Sequence, residues 1–418
     1  MKIKLLPAAL ILIAGPLAIA CGTMGRYPEG MSGRTAMQFF QEEELTLGVN
    51  LGNTLDAFRN WSDGVADETA WGNPPANQAM FEAIKELGFN VVRIPVTWMG
   101  HIGEGPDYRI GEARMERVAY VVNLAREAGL KVIINMHHDG ATSSPVEEAG
   151  WLSIGRSLGS RAERARITAQ FERMWIQIAE RFKDYGEWLM FQGFNELHVG
   201  DWGSGDWLQY DVINEWNQVF TNAVRRTRGG NRFRFLVISG YNTSYRTAEA
   251  HRDGIFRLPN DPTPNRQIVN FHFYQPNNFA LFTQTYEWPN DYWGGSRESI
   301  DNIFAGFREQ FVDRGIPVII GEVGPARYTP HNRNPGFDEA NVPIARQNRL
   351  AYIAHVYGRA RENGLVPIVW ENGGRHDANA WEGDFTLFDR HAGRPNTDES
   401  AEVIQAMVDA VNNAFPPW

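Results

Sequence analysis

Short apolar runs alternate with helical patterns along almost the whole chain, and this repetition limits the fold more than any other feature of the sequence. Each run is largely continuous rather than alternating, which is typical of strands buried on both faces of a parallel sheet. Eight such runs are found, at residues 46–53, 89–96, 130–138, 189–196, 233–239, 268–274, 316–322 and 365–371. Strands of this kind need helices outside the sheet to cover them.

Helical patterns occupy the segments between the runs. They predict helices at residues 77–87, 112–128, 161–185, 212–226, 299–314 and 344–362, with a final helix at 397–412. The connection at 240–265 is weaker and predicts only a short helix near 243–252. Several of these patterns end in a glycine just before the next strand, which is the residue that helix C-termini favour.

Eight repeats of strand and helix predict an α/β fold, a closed (β/α)8 TIM barrel that forms a single domain over residues 41–418. An open doubly wound sheet is the alternative. Such sheets usually have fewer strands and often carry a glycine-rich phosphate turn after the first strand. Residues 50–54 read Asn-Leu-Gly-Asn-Thr and lack that pattern. The closed barrel is therefore favoured.

The N-terminus has the pattern of an export signal. Lys2 and Lys4 precede an apolar stretch at residues 5–20 that ends in small residues. Basic residues, a short apolar core and small residues at the last and third-last positions predict a secretory signal peptide at residues 1–20. The stretch is too short to predict a membrane-spanning helix.

Cys21 stands at the expected cleavage point and is the single cysteine of the chain. The arrangement resembles a bacterial lipoprotein signal, which implies lipidation of Cys21, but Ala18 stands where such signals usually have leucine. Ordinary cleavage after Ala20 is the alternative. Either route predicts a protein that is extracellular or bound to the cell envelope, and residues 21–40 are predicted to be a tether. One cysteine allows no intramolecular disulfide.

The acidic composition limits the choice of partners. A formal net charge of −10 at pH 7 argues against nucleic acid and against an anionic membrane surface, because both repel an acidic protein. An uncharged substrate fits this charge. We predict membrane contact only through an N-terminal lipid, and we predict a monomer.

Polar and aromatic side chains collect where the predicted strands end. In a (β/α)8 barrel these ends form one face, on which catalytic groups lie. Seven of the eight strands end in such residues, which stability alone does not explain. The set consists of Asn53, Arg93, Trp98, His137, His138, Asp139, Asn195, Glu196, His272, Tyr274, Glu322, Trp370 and Glu371.

Glu196 and Glu322 each end an apolar run, where a carboxylate is costly unless the strand opens into a cleft. The fourth and seventh strands face each other across the barrel mouth, so both carboxylates are predicted to reach one bound sugar. Such a pair provides the acid and the nucleophile for cleavage of a glycosidic bond. Arg93 and Tyr274 are predicted to keep Glu322 ionised, which leaves Glu196 to hold the proton. The simpler interpretation is that each glutamate merely pairs with an arginine.

The histidines allow a metal site as an alternative. Zinc sites usually combine three nitrogen or sulfur ligands, and the sequence has neither an HExxH motif nor a pair of cysteines. We therefore predict no metal, and we assign His137, His138 and His272 to hydrogen bonds with sugar hydroxyls, with His272 also a candidate partner of one glutamate. Trp370 is predicted to stack on the apolar face of a pyranose.

Four longer motifs carry a resemblance to a known family. They are Asn-Leu-Gly-Asn-Thr-Leu-Asp-Ala at residues 50–57, Glu-Thr-Ala-Trp-Gly-Asn-Pro at 68–74, Val-Arg-Ile-Pro-Val-Thr-Trp at 92–98 and Ile-Ile-Asn-Met-His-His-Asp at 133–139. Together with the strand-end residues they resemble glycoside hydrolase family 5, and most closely its subfamily 4. The resemblance implies a retaining endo-β-1,4-glucanase, without a cofactor, that acts on cellulose derivatives, mixed-linkage glucan or xyloglucan.

The resemblance also implies roles for individual residues. Glu196 is implied as the acid/base and Glu322 as the nucleophile. The sugar subsite at the cleavage point is implied to be lined by Asn53, Arg93, His137, His138, Asn195, His272, Tyr274 and Trp370. The alternatives are a β-mannanase or glucomannanase of the same fold and a non-catalytic glycan-binding surface lipoprotein. The family more commonly has aspartate where this chain has Glu371, whose side chain we expect to extend farther into the cleft.

Overall fold

The computed structural model describes residues 27–60, 64–140, 150–331, 333–373 and 383–418. The predicted signal peptide at 1–20 and Cys21 lie outside these ranges. None of the helices in the described part of the chain is long and apolar enough to cross a membrane.

Eight parallel strands form a closed barrel in chain order. They are β1 Gly48–Asn50, β2 Val91–Ile94, β3 Lys131–Ile134, β4 Leu189–Gln192, β5 Leu236–Ser239, β6 Gln267–Phe273, β7 Val318–Val323 and β8 Leu365–Val369. The ring closes where β1 pairs with β8, with Val49 opposite Val369. The predicted TIM barrel is confirmed. Most strands are shorter than their apolar runs, because the runs continue into the loops at the barrel mouth.

Helices surround the barrel or close its N-terminal end, and most of them begin at polar capping residues. They are α1 Ala36–Glu42, α2 Gln78–Glu86, α3 Glu112–Glu127, α4 Ile154–Gly159, α5 Arg161–Arg181, α6 Trp207–Arg226, α7 Thr247–Arg252, α8 Asn277–Ala280, α9 Arg297–Gln310, α10 Val342–Glu362 and α11 Asp398–Asn412. At Asn77, Ser160 and Asp206 the side chain accepts a hydrogen bond from the first turn of the helix. A short antiparallel pair, β9 Phe388–Asp389 and β10 Arg394–Pro395, precedes the last helix.

The barrel interior is apolar at one end and polar at the other. Near the N-terminal ends of the strands it is filled by side chains such as Val91, Ile133 and Met190, which pack against α1. One level higher, buried polar side chains point inward, among them Asn50, Arg93, Gln192, Ser239 and Asn270. Hydrogen bonds join these polar side chains, and this layer supports the functional site.

The first helix corrects the predicted tether. Residues 21–40 were expected to link an anchor to the barrel, but α1 closes the barrel floor, with Phe39 and Phe40 only 1% and 2% exposed. The preceding residues are also fixed, because Arg34 Nε and Ser32 Oγ donate to the Glu187 carboxylate at 3.0 and 2.8 Å. The described residues of the segment, from 27 onward, therefore belong to the folded domain.

Replacing Phe39 with alanine is expected to destabilise the protein by about 3–5 kcal/mol, because a buried ring that packs on Phe235 at 4.8 Å is lost. Reversible urea unfolding measures this change. Phe415, which is 85% exposed, supplies the matched control, and its replacement by alanine is expected to change the free energy of unfolding by less than about 0.5 kcal/mol. Equal effects of the two substitutions would contradict the role of α1 as a barrel floor.

Candidate active site

A bulge in β7 turns Glu322 into the barrel mouth. The pairing register between β6 and β7 shifts after Phe271, so that His272 pairs with Glu322. Gly321 lies at this shift, where its amide donates to Asn270 Oδ1 at 2.9 Å. A Cβ atom on Gly321 would lie 2.2 Å from that same oxygen. The close approach therefore requires glycine directly before the glutamate.

Arg93 is a fully buried cation beneath the mouth. Its Nη1 donates to Glu322 Oε1 at 2.9 Å and to Asn50 Oδ1 at 2.8 Å. Its Nε donates to Gln192 Oε1 at 2.8 Å, and its Nη2 donates to Asn195 Oδ1 at 2.6 Å. Three of these four acceptors are neutral amides. Among these acceptors, the positive charge of Arg93 is therefore balanced by Glu322 alone.

Both oxygens of Glu322 accept hydrogen bonds. Arg93 binds Oε1, and the Tyr274 hydroxyl donates to Oε2 at 3.0 Å. Burial raises the pKa of the Glu322 carboxyl, and the charge and hydrogen bond of Arg93 oppose this rise. The contacts that the sequence analysis predicted for Glu322 are present.

Glu196 follows β4 and has a different environment. Its side chain is 22% exposed, and its Oε1 lies 2.6 Å from Nδ1 of the buried His272. Burial lowers the pKa of His272 to about 3, so this imidazole is neutral and shares a single hydrogen bond between its Nδ1 and Glu196 Oε1. Burial also raises the pKa of the Glu196 carboxyl. No arginine donates to Glu196 within the described part of the chain, so its neutral form is favoured over that of Glu322.

The two carboxylates meet across the mouth. One oxygen of Glu196, one oxygen of Glu322 and one nitrogen of His272 all lie within 4.8 Å of one another. The two carboxyls have unequal proton affinities because their partners differ. Glu322 binds the cation Arg93, which favours its charged form, whereas Glu196 binds the neutral His272 and holds a proton more readily. One group can thus donate a proton while the other acts as a base or nucleophile.

An aromatic wall borders this pair. The indole of Trp370, which follows β8, stacks parallel to the His137 imidazole, with the ring centroids 5.8 Å apart and an angle of 4°. His137 Nε2 lies 4.0 Å from Glu322 Oε1, and burial lowers the pKa of His137 well below its usual value. His138 packs edge-on against His137, with its Nε2 3.7 Å from the buried Asp56.

Asn53 lies three residues after β1, in the left-handed backbone region with φ of 53°, which asparagine tolerates better than most residues. The backbone amide of Asn53 donates to Asp56 Oδ2 at 3.0 Å, and its backbone carbonyl accepts from Asn73 Nδ2 at 2.8 Å. Asp56, Asn73 and Gln192 thus support the site, although none of them was predicted to belong to it. Asp56 and Asn73 do fall within the long motifs at 50–57 and 68–74, which was the available signal.

Three strand-end residues, Trp98, Asp139 and Glu371, do not join the carboxylates. Asp139 is fully buried and accepts from the Trp98 amide at 2.9 Å and from Trp151 Nε1 at 2.8 Å, so it joins these two tryptophans. Burial raises the pKa of Asp139 to about 6. Glu371 was expected to extend into the cleft, and that expectation is wrong. Its side chain is 0% exposed and binds Arg390 Nη2 at 2.6 Å instead of extending into the cleft.

Two groups of side chains in the described residues have the spacing of metal ligands. They are Asp56 with His137 and His138, and Glu196 with His272 and Glu322. In each group the carboxylates already accept hydrogen bonds, and in the second the Arg93 guanidinium contacts a carboxylate oxygen. A neighbouring cation disfavours a metal ion, so the donor sets fit a hydrogen-bonded network better than a metal centre. The absence of a metal stays a prediction.

A (β/α)8 barrel that holds two carboxylates this close across its mouth defines a protein of the glycosidase class. The model of the cellulase family, glycosyl hydrolase family 5, matches residues 55–376 of the chain. A xyloglucan-specific endo-β-1,4-glucanase from Bacteroides ovatus is 35% identical over 395 residues, which cover 90% of this chain and 70% of that protein. Endoglucanase A from Paenibacillus barcinonensis is 30% identical over 387 residues, which cover 88% of each chain.

Solved structures give the same relationship. A subfamily 5-4 broad-specificity endoglucanase from Bacteroides salanitronis superimposes with a TM-score of 0.79 and 39% identity, over 93% of this chain and 98% of that chain. The protein therefore belongs to glycosyl hydrolase family 5. The predicted family is confirmed, and so is the prediction of an enzyme of the endo-1,4-β-glucanase type at the level of that family.

Proposed function

We propose that this protein is a retaining endo-β-1,4-glucanase in which Glu196 is the acid/base and Glu322 the nucleophile. The separation of the two carboxylates carries the proposal. One oxygen of Glu196 lies within 4.8 Å of one oxygen of Glu322. Retaining enzymes hold their carboxyl groups about 5–5.5 Å apart, whereas inverting enzymes need about 6.5–9.5 Å to admit a water molecule. The closer spacing leaves room for a sugar carbon but not for an intervening water.

The different environments of the two glutamates assign the nucleophile role to Glu322 and the acid/base role to Glu196. Glu322, held by Arg93 and Tyr274, attacks the anomeric carbon while the bond to the leaving oxygen breaks. Glu196 gives its proton to that oxygen, and a covalent glycosyl-enzyme forms. Glu196 then takes a proton from water, whose oxygen attacks the same carbon and releases Glu322. Each step inverts the anomeric carbon once, so two steps retain its configuration.

The proposed substrates are plant cell-wall β-glucans, namely cellulose derivatives, mixed-linkage glucan and xyloglucan. Support comes from relatives named as endoglucanases and as a xyloglucan-specific endo-β-1,4-glucanase. Two further structures, from Bacteroides ovatus and Ruminococcus champanellensis, contain a XXXG heptasaccharide and a cellotriose. A wall formed by Trp370 and His137 offers an apolar face for one sugar ring.

The substrate proposal is tested by a product profile on barley glucan, tamarind xyloglucan, carboxymethylcellulose and glucomannan at equal concentration. We expect internal cleavage of at least one of the three glucans and β-configured new reducing ends. Cleavage of glucomannan alone would indicate a mannanase. Binding to all four without turnover would instead indicate a glycan-binding protein, and either result would contradict the proposal.

The two glutamates predict a bell-shaped pH dependence of kcat/KM. Activity requires ionised Glu322, so it falls as the pH decreases through the pKa of that group. Activity also requires protonated Glu196, so it falls as the pH increases through a pKa that burial raises above the usual value. On an aryl cellobioside whose leaving oxygen still needs a proton, Glu196→Gln is expected to remove the high-pH limb and keep the low-pH limb. Loss of the low-pH limb instead would reverse the two assignments.

For the location of the protein we propose export and an envelope anchor at Cys21. The geometry of the described chain supports this arrangement, because residues 34–40 pack on the barrel floor, opposite the carboxylates. Cys21 lies six residues before Tyr27, and six extended residues span at most about 20 Å. An anchored protein would therefore turn its mouth away from the membrane and towards polysaccharide outside.

Replacing Cys21 with alanine is expected to release the protein from the membrane fraction into the medium or the soluble envelope fraction. Fractionation of producing cells, with mass spectrometry of the mature N-terminus, measures this change. Ala18→Leu, which completes the usual lipoprotein motif, should keep the protein in the membrane fraction. An unmodified N-terminus in the wild-type protein would show ordinary cleavage and end the anchor proposal without affecting the proposed activity.

A further inference from the structure

Glu371 and Arg390 form a buried ion pair to which the proposed reaction assigns no part. Arg390 Nη2 and Nε donate to Glu371 Oε2 at 2.6 and 3.0 Å, and the two side chains are 0% and 4% exposed. The other carboxylate oxygen accepts from the amides of Gly373 and Leu387 at 3.1 and 3.3 Å. The desolvation penalty of burying two charges offsets much of their Coulomb attraction. A net gain in stability therefore explains such a pair poorly.

The pair joins the two strands at which the barrel closes. The β1–β8 pairing stops at Val49 and Val369. Beyond that point the Gly52 amide donates to the Glu371 carbonyl at 2.9 Å. Arg390 then binds the β1 side directly, with Nη2 donating to the Gly52 carbonyl at 2.8 Å and Nη1 to Thr54 Oγ1 at 2.5 Å. The Arg390 guanidinium thus extends the contact between the β1 and β8 segments, here called the seam, beyond the last strand pair and towards the mouth.

This seam carries two residues of the candidate active site. Asn53 lies between Gly52 and Thr54, the two residues that Arg390 binds, and Trp370 directly precedes Glu371. The backbone of Gly52 also touches the indole, since a Cβ atom there would lie 2.8 Å from two carbon atoms of the Trp370 ring. Any shift of the seam therefore moves the indole relative to the carboxylates.

We propose that Glu371 and Arg390 are positioning residues that fix the Trp370 indole against the bound sugar. This inference rests on the proposed function, because the indole needs a sugar to position. The chemistry is specific to both partners. Lysine offers a single nitrogen and cannot reach Glu371, Gly52 and Thr54 together. Aspartate is one methylene shorter and cannot bind both Arg390 and the Leu387 amide from the same backbone position.

A double-mutant cycle tests the proposal. Arg390→Lys is expected to lower kcat/KM on cello-oligosaccharides by about 10- to 100-fold, as a sub-ångström to 1 Å displacement of a binding group does. In a Trp370→Ala background the same substitution is expected to cost less than about 3-fold, because the indole that it displaces is already absent. Equal losses in the two backgrounds would overturn the proposal and leave Arg390 with a purely structural role.

Two further variants keep the test decisive. Glu371→Asp should show the same dependence on Trp370, and it replaces Arg390→Lys if that protein does not fold. Arg225→Lys is the matched control, since Arg225 pairs with Asp261 at 2.6 Å with side chains 5% and 4% exposed at the other end of the barrel. It should lower the melting temperature without changing kcat/KM. Full activity in Glu371→Asp and Arg390→Lys would also overturn the proposal, whereas an inactive wild-type enzyme would refute the proposed function itself.

Discussion

Replacing Glu322 with alanine is expected to lower kcat by about 10⁴-fold or more on every glucan substrate, because no glycosyl-enzyme can form without the nucleophile. The fold should persist, since the carboxylate lies at the open end of the barrel. Its removal takes away the free-energy cost of burying a charged carboxylate, which is the cost that raises its pKa. Its removal also leaves the charge of Arg93 without a carboxylate. A moderate loss of stability is therefore expected along with the loss of turnover.

A chemical rescue separates a lost nucleophile from a disturbed site. Azide is small enough to enter the space vacated by Glu322 and to attack the anomeric carbon of an activated β-cellobioside. The product is expected to be the α-cellobiosyl azide, because a single displacement inverts the centre. Glu215, which also follows an asparagine but lies on α6 paired with Arg164, is the matched control. Its replacement by alanine should leave kcat unchanged, and full activity of Glu322→Ala would end the nucleophile assignment.

Glu196→Gln is expected to have an effect that depends on the leaving group. On cello-oligosaccharides, whose leaving oxygen needs a proton, kcat/KM should fall by about 10²- to 10⁴-fold. On a dinitrophenyl cellobioside kcat/KM should change little, because that leaving group departs without a proton. There kcat should fall instead, since the water that attacks the glycosyl-enzyme has lost its base. A burst of dinitrophenol followed by slow turnover is the measurable sign.

The matched experiment for Glu196 also uses azide, but the product is expected to have the opposite anomeric configuration. In Glu196→Ala, azide should attack the glycosyl-enzyme on Glu322, and two displacements give the β-cellobiosyl azide. Equal losses of kcat/KM on good and poor leaving groups would argue against an acid role. The two azide products together assign both glutamates, since exchanged roles would exchange the α and β products.

Much of the fold was predictable because its determinants are local. Continuous apolar runs and 3.6-residue periodicity are properties of neighbouring residues, and they identified the eight strands and the long helices. The short helices α4 and α8 were missed, since six and four residues are too few to show a period. α1 was assigned to a tether because nothing local shows that Phe39 and Phe40 meet the barrel floor.

The candidate site was predictable in its membership but not in its connections. A polar residue at the end of a buried strand stands out in the sequence, and Glu196, Glu322 and Arg93 were found in this way. The partners of such residues do not stand out. Arg390 binds Glu371 from 19 positions farther along the chain, in a segment with no distinguishing pattern, and Glu371 was therefore placed in the cleft by mistake.

The order of strands and helices, and the polar residues that end the strands, are written in the sequence itself, because each depends on residues within a few positions of one another. Distances are decided by the tertiary structure alone. Glu196 and Glu322 stand 126 positions apart in the chain, and only closure of the ring and the bulge at Gly321 bring their oxygens within 4.8 Å. The same closure gives the two carboxyls different neighbours. A proton can therefore reside on one while the other stays charged, although the two side chains are chemically identical.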